Sequence, residues 1–167
     1  MSDIQTNTRT RTISWEDPVP SAHLGRTMSG LAYLRAFQSG ALPPTPIAVL
    51  MGMAVAEVEE GRVVFTVQPA EYHYNPIGVV HGGLAATLLD SSLGCAIHST
   101  LPAGTAYTTL EIKVNYVRPI TRETGELRCE GKVLHQGSRI ATAEGRITDA
   151  SGKLYAHGTT TCIILRP

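Results

Sequence analysis

The chain has 167 residues, 43% of them apolar and 17% charged, with a formal net charge of zero. That length and balance fit one globular domain with a substantial core. No basic surplus points to a nucleic-acid groove, and Asp, Gly or His interrupts every apolar stretch well short of a membrane span.

Residues 1–22 are rich in Thr, Arg and Ser and lack periodicity, which predicts a flexible arm ahead of a single domain at 23–167. The opening "MSDIQTNTRTRTISWEDP" is too polar for a secretory signal. In "RTMSGLAYLRAF", Met28, Leu31, Leu34 and Phe37 fall at helical spacing, and Ser39-Gly40 followed by Pro43-Pro44 stops the helix. "LPPTP" reads as an extended connector. From Ile47 a hairpin is expected, with one strand to about Glu59, a turn at Glu60-Gly61 and a second strand to about Gln68. A loop then leads to "HGGLAATLLDSSLGCAIHSTL", the candidate for a long central helix.

Four strands follow. In "YTTLEIKVNYVRP", Leu110, Ile112, Val114 and Tyr116 alternate with Glu111, Lys113 and Asn115. "TGELRCEGKVLHQGS" repeats the alternation, and two more strands meet at Asp149-Ala150-Ser151-Gly152. Short linkers make the neighbours antiparallel. The expected class is α+β: a strongly curved antiparallel sheet wrapping the segment 82–98, preceded by an N-terminal helix. Its outer edge invites a second copy. Cys95, Cys129 and Cys162 are widely spaced, without a C-x-x-C pair or metal-site spacing. They read as free thiols of a reducing cytosol, so the protein is expected to be cytoplasmic and metal-free.

The ordered set Asn75, His81-Gly82-Gly83 and Asp90, followed by "TTLEIKVNYVRP", resembles the hotdog-fold acyl-CoA thioesterases, in the branch related to phenylacetate-degradation (PaaI-like) thioesterases. The resemblance spans about residues 45–165. It implies hydrolysis of an acyl-CoA, with no cofactor beyond the coenzyme A of the substrate. It also implies that Asn75 positions the thioester or its water, and that Thr109 is the hydroxyl that holds the lytic water. Residues 1–45 lie mostly outside it and are assigned no chemistry.

The residue types suit that chemistry. Gly82 and Gly83 open the central helix, where backbone N–H groups lack partners and the dipole is positive. Without a Cβ they admit a thioester oxygen, and such a donor is worth about 3–4 kcal/mol of barrier. Asp90 is the candidate base or nucleophile, and burial in an apolar helix would raise its pKa toward neutrality. His81 reads as a residue that fixes the loop through a backbone bond, with proton transfer among the catalytic residues as its alternative role. Gly83 and Asp90 are seven residues apart, about 10 Å along a helix. One thioester cannot touch both within one chain, so the expected site crosses an isologous homodimer, and a dimer of such dimers is a further expectation. Arg118, Arg122, Lys132, Ser138 and Arg139 are candidates for the nucleotide phosphates. Val80, Tyr72, Tyr74 and Leu88 are candidates for the acyl pocket. Two Phe and one Trp announce no aromatic cage. Cleavage of acyl-carrier-protein thioesters and a non-catalytic acyl-CoA sensor stand as alternatives.

Overall fold

The segment Gly82–His98 has no Pro and few β-branched residues, and its apolar side chains recur at helical spacing, so it forms the longest helix. A computed structural model describes residues 7–166. In chain order these form α1 (Pro18–Gly25), α2 (Gly30–Gln38), α3 (Pro46–Met51), β1 (Met53–Glu59), β2 (Arg62–Val67), α4 (Gly82–His98), β3 (Ala106–Tyr116), β4 (Leu127–Gln136), β5 (Ile140–Asp149) and β6 (Leu154–Leu165). The strands make one antiparallel sheet in the order β1-β2-β4-β5-β6-β3. All of them except β1 pack substantially against α4, so the sheet curls round the helix. This is the expected α+β hotdog arrangement.

The core sits between α4 and the sheet. Leu88, Leu89, Leu93 and Ile97 are fully buried against Val63, Val67, Leu127, Cys129 and Ile147. Each such side chain contributes about 1.5–3 kcal/mol by leaving water. Gly131, Gly145 and Gly158 stand opposite one another on β4, β5 and β6. A Cβ on Gly131 would lie 2.3 Å from the Ser92 carbonyl oxygen, so glycine there lets α4 settle onto the strand backbone.

The N-terminal third departs from expectation. Part of the supposed arm is helical: Asp17 caps α1 by accepting from the Val19 N–H, with Pro18 and Pro20 in its first turn. Arg11 donates to the carbonyls of Leu50 and Val49 at 2.7 and 2.9 Å, tying the chain ahead of α1 to the end of α3. Residues 1–6 of the arm lie outside the described residues. The helix expected from residue 26 begins only at Gly30, capped by Ser29. The expected connector and strand start at 46–51 are α3 instead, because Pro46 presets its first turn and Gly52, at φ 68°, ends it.

Two histidines are packed into this frame. His73 accepts from the Ala70 N–H and meets the Met51 carbonyl at 3.0 Å, which ties its segment to the end of α3. Burial lowers the pKa of His73 and of His98 from the ordinary imidazole range, and the Arg11 cation lowers His73 further. An imidazole held neutral by folding takes up protons more readily when unfolded. Its stabilisation is whole above the unfolded pKa of about 6.5 and is lost as pH falls through the lowered folded value. Tm is therefore expected to drop between about pH 7 and pH 5, and to drop less in His98→Phe, which keeps the ring stack. Equal slopes in differential scanning calorimetry would contradict this account for His98.

Candidate active site

Asp90 lies on the face of α4 that the sheet leaves uncovered, and it is exposed, not buried as expected. The neighbours on that face, Gly83, Ala86 and Thr87, are small and only partly covered. Thr109 of β3 donates to Asp90 Oδ1 at 3.0 Å. A β-bulge makes that bond possible. Thr109 pairs with Cys162 and Ile112 with Thr160, so Leu110 and Glu111 together oppose Thr161. The extra residue puts both Thr109 and Ile112 on the α4 side, and leaves Leu110 outside, 56% exposed. Plain alternation predicts Leu110 inside with Ile112. Below Asp90, burial and the Asp90 charge push the Cys95 thiol up to about 12, so it is no thiolate nucleophile near neutral pH.

The start of α4 is built differently from the simple expectation. His81 is the N-cap, and its Nδ1 accepts the Gly83 N–H at 2.8 Å. The Gly83 donor is therefore already occupied, and a neutral His81 carries its proton on Nε2. The Gly82 N–H has no hydrogen-bond partner among the described residues. The Tyr116 ring lies over Gly82, where any Cβ would come within 3.1 Å of it. Asn75 holds the preceding loop: its Oδ1 accepts from the N–H groups of Ile77 and Val79 at 3.1 and 3.3 Å. That fixes the amide so that its NH2 group remains available. Val80 is buried and donates to the Ile120 carbonyl.

One chain keeps these groups apart. Gly82 and Asp90 are eight residues apart, about 12 Å along the helix. Gly82, His81, Val80, Tyr116 and Arg118 line one hollow of about 410 Å³. Asp90 and Thr109 line another of about 470 Å³, and the two share no lining residue.

The second hollow holds what the sequence did not reveal. Tyr33, Phe37, Phe65, His98 and Tyr107 gather there with Leu34 and Ile47 of α2 and α3. These aromatics are scattered along the chain, and only the i, i+4 pair Tyr33/Phe37 carried a local signal. Segments assigned no chemistry thus form a wall of the site. Leu88, expected in the acyl pocket, is fully buried in the core. Tyr74 is engaged by the Arg122 N–H, and Tyr72 lies under the Arg11 guanidinium. Lys132 faces a polar hollow on the opposite side of the sheet with Glu144 and Arg146. Arg118 donates to the Leu154 carbonyl beside the Gly82 hollow. Ser138 and Arg139 occupy the exposed β4–β5 turn, whose neighbour Gln136 meets Thr100 just past the other end of α4. Among the described residues, no cluster of three or more His, Cys, Asp or Glu could hold a metal, and no helix is long and apolar enough to cross a membrane.

A carboxylate–hydroxyl pair and, among the described residues, an unpartnered N–H at the helix start thus stand on or beside one sheet-wrapped helix. Comparison with known proteins places the chain more closely. The thioesterase superfamily model matches residues 77–156. Human acyl-coenzyme A thioesterase 13 is 32% identical over 112 residues, which cover 66% of this chain and 78% of the relative. The solved structure of a conserved Pseudomonas aeruginosa protein superposes with TM-score 0.68 at 31% identity, over 73% of this chain and 95% of that one. The Escherichia coli PaaI protein shares the fold, at TM-score 0.70 and 22% identity over 83% and 96% of the two chains. The chain belongs to the thioesterase superfamily and is a thioester hydrolase.

Proposed function

We propose that the chain is an acyl-CoA thioesterase of the PaaI-like branch whose active site is completed by a second copy. The observation that carries this reading is the separation of Asp90 from the unoccupied Gly82 N–H into two hollows of one chain. Two further features support it. The α4 face bearing Asp90 is lined by small residues, and β3 is an eleven-residue strand at a free sheet edge. Two-fold pairing along β3 sets the α4 helices side by side, Asp90 of one against Gly82 of the other.

In that site the Gly82 N–H polarises the thioester carbonyl. Thr109 occupies Oδ1 of Asp90 and leaves Oδ2 for the reaction. As general base, Asp90 takes a proton from water as the oxygen adds to the carbonyl carbon. The C–S bond then breaks, and the proton passes to the departing thiolate. As nucleophile, Asp90 adds instead, expels the thiolate and forms an anhydride that water opens. Incorporation of oxygen-18 into Asp90 in a single turnover marks the second route. Arg118, which lines the Gly82 hollow, orients the coenzyme A, and the free NH2 group of Asn75 orients the thioester. Among the described residues no Lys or Arg lines the Asp90 cavity, whose apolar and aromatic lining suits an uncharged acyl group.

The test is thiol release from a panel of acyl-CoAs. Apolar acyl groups are expected to be hydrolysed and a terminal carboxylate such as succinyl to be rejected. Thr109→Val is expected to lower kcat by about tenfold through loss of one charge-assisted bond. Binding of acyl-CoA without thiol release would return the sensor reading. Faster release from acyl-carrier-protein thioesters would favour the carrier-protein alternative.

A further inference from the structure

The Asp90 cavity has a second hollow behind it. This hollow, of about 270 Å³, is lined by Ala22, Gly25 and Arg26 on one side and by Gly104 and Thr105 on the other. Tyr33, His98 and Tyr107 line both spaces. The three rings pack as a continuous partition: Tyr33 meets His98 edge-on at 5.9 Å between centroids, and His98 meets Tyr107 at 5.3 Å. Tyr33 is braced from behind, since Gly25 lies so close that a Cβ there would be 2.7 Å from its ring. Phe37 supports its other edge at 4.8 Å.

The His98 and Tyr33 portion of the partition stands along the cavity from the reacting carboxylate, while Tyr107 reaches back toward it along β3. Asp90, Ser91, Cys95 and His98 line one side in sequence along α4, and His98 is eight residues, about 12 Å, beyond Asp90. Tyr33 comes from α2, outside the family-matched residues 77–156. We propose that Tyr33 and His98 form the end-stop that sets the longest acyl group the enzyme accepts, and that opening this partition joins the two hollows into one longer tunnel. The inference rests on the acyl-CoA reading above and adds residues that determine its specificity.

A ladder of saturated straight-chain acyl-CoAs tests it. The wild type is expected to show a sharp cut-off in kcat/KM with chain length. Tyr33→Leu and His98→Ala open the partition from α2 and from α4 independently. Each is expected to move the cut-off to longer chains, with kcat/KM for the first excluded length rising about tenfold relative to a short chain. Tyr33→Phe keeps the rings and should keep the wild-type profile. Opened variants whose profiles stay parallel to wild type would overturn the proposal. So would a wild-type profile with no cut-off, whatever the variants do. Failure of the wild type to release thiol from any acyl-CoA would instead refute the thioesterase reading itself.

Discussion

Asp90→Asn should lower kcat/KM for an acyl-CoA by about a thousandfold, within the range of a lost acid–base group. Asparagine keeps the volume and can still pair with Thr109, so fold and assembly should persist. A second variant isolates the other half of the site. Gly82 is the first residue of α4, where proline is tolerated, and the His81 backbone at φ −62° and ψ 136° suits a residue before proline. Gly82→Pro therefore deletes the N–H with little cost to the helix. Its ring meets Tyr116, which is 58% exposed and free to shift. Each variant alone should be nearly inactive. Unfolded together and refolded, half the dimers will be hybrids, and each hybrid holds one intact site, so about a quarter of wild-type activity should return. If Asp90 and Gly82 of the same chain acted together, mixing would restore nothing.

The fold was legible in the sequence from α4 onward because patterns of period 3.6 and 2 are long and clean there. The N-terminal third was not, for local reasons. α3 has only six residues, too few for periodicity to separate a helix from a strand, and Pro46 and Gly52 decide it. The positions proposed to carry the chemistry, Asn75, His81, Gly82 and Asp90, are legible as an ordered motif. What each does in the folded chain was less so. An apolar helix implied a buried carboxylate, yet burial depends on which face the sheet covers, and α4 is wrapped on only part of its circumference. The contest between Gly82 and Gly83 turned on one side-chain bond from His81, which spacing does not encode. Strand alternation does not encode the Leu110 bulge, because Leu110 and Ile112 share parity. The buried Thr160, paired with Ile112 but only two residues from Cys162, reveals the extra residue. The aromatic partition was invisible because its members are joined only by tertiary packing.

Gly131→Ala should be among the most destabilising single-methyl additions in the chain. The added Cβ would lie 2.3 and 2.5 Å from the Ser92 carbonyl oxygen and carbon and 2.8 Å from the Leu93 nitrogen. All three are backbone atoms of α4, so no rotamer change relieves the contact. Helix and strand must separate, which forfeits packing among Leu89, Leu93, Cys129 and Ile147; a cost of about 3 kcal/mol is expected. For a chain of this size that is a fall of about 10 °C in Tm. Gly40 supplies the contrast: at φ 78° with open space around it, Gly40→Ala bears only backbone strain, about 1 kcal/mol. The two effects differ in what they do to function. Lifting α4 from β4 moves Asp90 relative to Thr109, which β3 holds at the sheet edge three strands away. Gly131→Ala should therefore lose activity at temperatures where circular dichroism still reports a folded protein, and Gly40→Ala should not. If activity and fold are lost together in Gly131→Ala, the seating of α4 on the glycine row stabilises the domain without setting the Asp90–Thr109 geometry.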